Sequence, residues 1–267
     1  MPQIKHLPSW EAFEKEITSL FEAVKKKRSQ TSLPVSEPIF RGLASASWGL
    51  TTTLERYSGK EYPVQEYYEI MRGVKPALES FMNKRWSLDE DLAQLDNPYS
   101  PPQGYPFMIY LRHHGFPSPL LDWTSSPYVA AFFAFEPNAH SEEEYVAIYS
   151  YIGYWGGAKS SSGYTISTVG PYVTTDRRHH IQQCRYTFAT KTVQNKYVYC
   201  NHELAFEADK VTVRDIFTKY LIPRAERPKV LEKLDLMNIN PYSLFGDEHS
   251  LMKLLAYRQM ENPKKPY

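Results

Sequence analysis

Three short stretches carry the side chains best suited to chemistry. In "IFRGL", Arg41 is wedged between Phe40 and Gly42; a guanidinium held in such a place can grip an anion with two parallel N–H bonds, although an ordinary surface cation has the same spelling. In "LLDWTSSP", an apolar run delivers Asp122, Trp123 and Thr124 just ahead of Pro127. Pro127 fits the first turn of a helix that Thr124 or Ser125 can cap, and the start of that helix offers N–H groups and a partial positive charge to an anion. The plain alternative is that Asp122 and Thr124 only cap the helix. In "HHGFP", Gly115 and Pro117 suggest that His114 is held at a tight turn beside Asp122; a buried, hydrogen-bonded histidine is the competing reading.

These residues need a scaffold, and the chain can supply one. It has 267 residues, 42% hydrophobic and 23% charged, with a net charge of +1. A substantial core is affordable, disorder throughout is not expected, and no overall field draws in nucleic acid or an anionic membrane. Two cysteines, Cys184 and Cys200, are too few for a disulfide scaffold or a four-thiolate zinc site, and no HExxH or CxxC spacing occurs, so no metal is expected. No apolar run reaches membrane-spanning length and the N-terminus does not read as a signal peptide, so a cytoplasmic protein with free thiols is expected. There is no GxSxG elbow, Walker loop or GxGxxG fingerprint, which disfavours the standard hydrolases, NTPases and Rossmann dehydrogenases. The aromatic content of 15% serves packing first and ring stacking second.

Periodicity predicts an amphipathic helix over residues 10–27, with Ser9 as cap and Phe13, Ile17, Leu20, Phe21 and Val24 on one face. "IFRGL" reads as a short strand. Residues 64–86 read as helical, with Gly73 and Pro76 predicting a kink or two shorter helices. Loops are expected at 96–106 and 156–165, strands from Val146 and over 185–190 and 196–200, the last two as a hairpin near "KTVQN". The tail over 229–260 reads as two helices separated by "NPYSLFGDEH". Strands in the middle and helices at both ends predict an α+β fold with a mixed or antiparallel central sheet and flanking helices.

Phe40-Arg41-Gly42, the segment "HHGFPSPLLDWTSSPYVAAFFAF", the pattern "RRHHIQQCRYTF" and the closing "LDLMNINPYSLFGD" together resemble the FRG domain family. The likeness runs from about residue 40 to 255 and suggests a division into an N-terminal helical extension, 1–36, and an FRG-like domain, 37–267. Ser118-Pro119 stands where the family usually has Thr-Arg, and Cys184 near a usual glycine.

A more distant resemblance, of order and spacing only, is to ADP-ribosyltransferases. Arg41 matches their first motif, Thr124 to Ser126 the second, and Gln182 or Gln183 the third. It implies an ADP-ribosyltransferase-like fold and NAD as co-substrate, with ADP-ribose passed to a nucleic-acid (RNA or DNA) or protein acceptor as nicotinamide leaves. Arg41, beside Gly42, would hold the pyrophosphate; Thr124, Ser125 and the helix start would orient ribose or phosphate; Tyr110 or Tyr128 would stack on nicotinamide; Gln182 or Gln183 would bind ribose hydroxyls. An amide cannot take a proton, so Asp122, His114 or Glu203 would have to act as base. Such an activity implies a toxin or defence effector, restrained by a cognate antitoxin or chaperone, with "DRRHHIQQCR" as a possible basic contact for the acceptor. Two other readings stand beside it: a non-catalytic nucleotide- or nucleic-acid-binding module, and an interaction protein in which Arg41 and Asp122 form a buried ion pair.

Overall fold

The structure, a computed structural model, describes residues 2–30, 35–88, 104–136, 143–153, 163–170, 173–175, 177–208 and 215–262. The expected connector over 156–165, the loop over 96–106 and the C-terminal "PKKPY" fall largely or wholly outside these residues.

The architecture is α+β, built on one mixed, mostly antiparallel sheet. Its strands are β1 (Gln3–His6), β2 (Ile39–Leu43), β3 (Tyr62–Pro63), β4 (Leu121–Thr124), β5 (Tyr145–Ile152), β6 (Tyr164–Val169), β7 (Cys184–Val193), β8 (Lys196–Tyr199) and β9 (Ile216–Pro223). They run in the order β1-β9-β5-β2-β4-β7-β8-β3, with β6 pairing β7. Among the described residues only β1 and β9 pair in parallel. The β7–β8 hairpin turns at Gln194 and Asn195, both with positive φ (49° and 61°). That is the backbone twist a two-residue hairpin favours, and it lies where the "KTVQN" reading places it.

Along β5, Val146 and Ile148 enter one hydrophobic cluster and Ala147, Tyr149 and Tyr151 another. The sheet is therefore buried on both faces, the period-two alternation deciding which residue goes where. On the first face lie α1 (Trp10–Gln30), α5 (Pro127–Phe135) and α8 (Arg227–Leu236), packed through Trp10, Phe13, Ala130, Phe135, Val230 and Leu234. α5 is apolar on all sides, as a helix enclosed by core must be. The β7–β8 end is covered by α3 (Val64–Met82) and α4 (Tyr105–His113). On the second face, the segment after β2 and α7 (His202–Ala208) cover the sheet, with Leu50 and Phe206 packed in.

Several expectations meet a different outcome. α3 runs unbroken through Gly73 and Pro76 to its left-handed cap at Asn83. The tail holds three α-helices instead of two, because "NPYSLFGDEH" itself folds as α9 (Pro241–Phe245) between α8 and α10 (Glu248–Ala256). Asn240 with Ser243 and Asp247 with Ser250 form reciprocal capping pairs, and Gly246 closes α9 with φ 71°. Within residues 1–36, β1 is an edge strand of the main sheet and Trp10 is fully enclosed in its core. Among the described residues no helix is long and apolar enough to cross a membrane.

Candidate functional site

The site begins as a fault in the sheet. β2 pairs with β5 at five positions and β4 with β7 at four, yet β2 and β4 meet only at Phe40 and Thr124. Beyond that point the two central strands splay, and a cleft of about 410 Å³ opens between them. This is within the size range of small-molecule sites. β2 contributes Phe40, Arg41, Gly42 and Leu43, and β4 contributes Asp122, Trp123 and Thr124. Trp48 comes from the segment after β2, Arg112 and His113 from α4, Phe133 from α5, Arg178 from α6 (Arg177–Ile181), and Phe245 from α9.

Arg41 is half-buried and reaches across the gap, where one guanidinium nitrogen donates to the Asp122 main-chain oxygen at 2.5 Å. Burial pulls its pKa down to about 10, an effect opposed by the Asp122 charge and reinforced by Arg112 and Arg56, so it stays protonated at neutral pH. The Asp122 carboxylate belongs to Arg112, whose terminal nitrogen lies 2.5 Å from Oδ2. The expected Arg41–Asp122 ion pair is therefore replaced by Arg112–Asp122. Three polar atoms in this group are buried and without a hydrogen-bond partner among the described residues: Arg41 Nε, Arg112 Nε and Asp122 Oδ1. Buried polar groups nearly always find partners, and leaving one unpaired costs about 1–3 kcal/mol. Two unmet donors and one unmet acceptor around one cleft suit a ligand carrying both anionic and hydroxyl oxygens.

Gly42 lies in the cleft wall for a steric reason. A Cβ there would collide with the Ala130 carbonyl oxygen and come within 2.8 Å of Ala134 N. Gly42, in the middle of β2, thus lets α5 sit directly on the strand.

The start of α5 is not an open anion site. Ser126 caps the helix, accepting from Val129 N–H, in place of the expected Thr124 or Ser125. Ser126 N–H donates to Thr124 Oγ1, and Ser125 N–H donates to the Gln183 carbonyl. Thr124 Oγ1 in turn donates to the Gln182 carbonyl at 2.7 Å. These bonds tie β4 to the turn before β7, leaving Thr124 and Ser125 as positioning residues.

The glutamines divide. Gln182 lines the cleft and donates its amide N–H to Leu244 O. Gln183 is exposed, with φ 50°, and does not line the cleft. His114 is exposed at the C-terminal end of α4, its ring 4.3 Å from that of Tyr110, while its neighbour His113 faces the cleft. Tyr110 is buried against Trp86 and Tyr128 packs beside Trp10, so neither reaches the cleft. Glu203 is on the second face, bonded to Leu50 N–H and near the Tyr149 hydroxyl, also outside the cleft lining. That leaves Asp122 as the one carboxylate among the described cleft residues.

The cleft also takes in Arg112, His113, Trp48 and Phe245, none of which the sequence singles out, and Arg178, from the basic run expected to meet the acceptor. Arg178 pairs with Asp247 at 3.0 Å and lies over the Phe245 ring at 5.4 Å, which brings part of the basic "RRHHIQQCR" run to the cleft. Tyr186 behind the cleft is hydrogen-bonded by His113 Nε2 at 2.9 Å and His179 Nδ1 at 3.2 Å. Burial pushes the Cys184 thiol up to about 12, so it stays protonated and unreactive. Arg112 and His113 are consecutive residues in the last turn of α4 and both line the cleft, a placement set by where α4 packs and not by a spacing in the sequence.

An α+β protein with a cation-lined cleft at a split in its central sheet is the class these features define. Within it, residues 36–143 match the FRG domain family, from just before β2 to just before β5. No curated protein and no solved structure matches the chain.

Proposed function

We propose that the chain is an NAD-dependent ADP-ribosyltransferase whose site is the cleft between β2 and β4. The observation that carries this reading is the group of unmet polar atoms, Arg41 Nε, Arg112 Nε and Asp122 Oδ1, where β2 and β4 part. Arg41 and Arg112 would hold the pyrophosphate and Asp122 a ribose or acceptor hydroxyl. These atoms are sealed from solvent here, so engaging a ligand requires the side chains to turn. NAD supplies a glycosidic bond already activated by its positively charged nicotinamide ring. The protein's part is to hold the ligand, exclude water with Phe40, Phe133 and Phe245, and accept a proton at the Asp122 carboxylate. The acceptor would be an RNA, DNA or protein, and a chain with this activity would serve as a toxin or defence effector kept in check by a partner protein.

The second reading is a binding module that holds a nucleotide in the same cleft without cleaving it. The Arg112–Asp122 contact favours it, since a carboxylate occupied by a guanidinium is a poor base. Incubating the protein with NAD labelled in the adenylate, plus mixed RNA, DNA and protein acceptors, separates the two. Label on an acceptor, lost in Arg41→Ala, supports transfer; free ADP-ribose alone indicates hydrolysis; bound but intact NAD supports the module.

A further inference from the structure

Trp48 is 53% exposed at the rim of the cleft, so its indole is open to a ligand there. Its backbone is nevertheless held on every side. Arg224 donates to Ala44 O, and Lys219 Nζ to Ala46 O at 2.7 Å and Trp48 O at 3.4 Å. Glu143 accepts from the Ser45 and Ser47 hydroxyls and from Ser47 N–H at 3.1 Å. Glu203 accepts from Leu50 N–H at 3.3 Å, and the Tyr149 hydroxyl lies 3.1 Å from Trp48 O. A large ring is thus presented to the cleft by a rigid segment, which lowers the ordering cost of stacking a ligand on it.

The charges along the cleft have a direction. At the rim, the segment that carries Trp48 is strapped by two carboxylates, Glu143 and Glu203, and two cations, Lys219 and Arg224, which offset one another. The hydrogen bonds from Ser45 and Ser47 hold Glu143 ionised, its pKa lowered to about 2. Further along the cleft are the guanidinium groups of Arg41, Arg112 and Arg178. A ligand matched to this layout carries an anionic middle and a positively charged flat ring at the rim, and indole is the best ring for a cation to rest on.

Resting on the NAD reading above, we infer that Trp48 is the residue on which the oxidised nicotinamide ring stacks, and that it makes the site selective for the cationic ring. Tyr110, enclosed against Trp86, and Tyr128, packed beside Trp10, lie outside the cleft lining and do not take this role.

Isothermal titration of the wild type, Trp48→Ala and Trp48→Phe with NAD, NADH and ADP-ribose tests it, each variant's melting temperature being checked first. The wild type should bind NAD more tightly than NADH, whose reduced ring is neutral. Trp48→Ala should lose about ten-fold or more for NAD and stay within about two-fold for ADP-ribose, with Trp48→Phe recovering part of the loss. Equal losses for NAD and ADP-ribose would place Trp48 against another part of the ligand and overturn the assignment, as would an unchanged affinity for NAD. Equal wild-type binding of NAD and NADH would overturn the charge argument. A wild type that binds neither NAD nor ADP-ribose refutes the NAD reading itself, and the inference falls with it.

Discussion

Arg41 donates to the main-chain oxygen of Asp122 and leaves its carboxylate to Arg112. The reason is the pleat. Arg41 pairs with Tyr149 of β5, which packs on the second face, and Asp122 pairs with Tyr186 of β7, which packs with α4. Side chains at neighbouring positions leave opposite faces of a sheet. Arg41 therefore shares a face with Ile39 and Leu43, while Asp122 faces the helices with Gly42. Only the carbonyl of Asp122, in the plane of the sheet, is within reach.

That geometry makes Arg41 hard to replace. Arg41→Lys should bind NAD about as poorly as Arg41→Ala, at least ten-fold weaker than the wild type by titration. A lysine ammonium has donors enough but lacks the planar fork that lets one arm hold the Asp122 carbonyl while the other grips the ligand in parallel. Recovery of affinity in the lysine variant would show that only charge matters there.

Asp122→Asn keeps an oxygen for Arg112 and removes the carboxylate's capacity to take a proton. Single-turnover transfer of ADP-ribose should fall about 100-fold or more, while NAD affinity changes no more than a few-fold. Undiminished transfer would relieve Asp122 of the role of base.

Gly42→Ala drives a methyl group into the Ala130 carbonyl of a buried helix. Overpacking of this kind costs about 1–3 kcal/mol, and more where backbone must move. Urea denaturation should show a loss at the upper end of that range, or no soluble folded protein. A variant as stable as the wild type would mean that α5 can lift off β2 freely.

His202 is enclosed on the second face, its Nε2 2.9 Å from the Thr187 hydroxyl, which also receives the Trp123 indole N–H. Burial lowers its pKa from 6.5 to about 3, partly offset by its bond to Thr187. Between those values the unfolded chain binds a proton that the folded chain refuses. The stability is complete above pH 6.5 and drains away as pH falls toward 3, at about 1.4 kcal/mol per pH unit. Between pH 7 and 5 the wild type should lose about 2 kcal/mol from this group. His202→Gln should show a slope shallower by that amount in urea denaturation at the two pH values.

What the sequence determined by itself was local. Apolar spacing on α1, the "IFRGL" strand, the β4-to-α5 step at Pro127 and the Gln194-Asn195 turn all follow from contacts within a few residues, where propensity, capping and φ preferences act. It also brought forward Arg41, Asp122 and Gln182, which do meet at one cleft. The tertiary structure decided the pairing among them, because partner choice depends on which face of which strand a residue occupies, and that follows from register with a strand some 80 residues away. It likewise turned His114, Tyr110, Tyr128 and Gln183 away from the cleft and brought in Trp48, Arg112 and Arg178. Those three come from separate elements that converge only where β2 and β4 part, so no local pattern in the chain could have joined them.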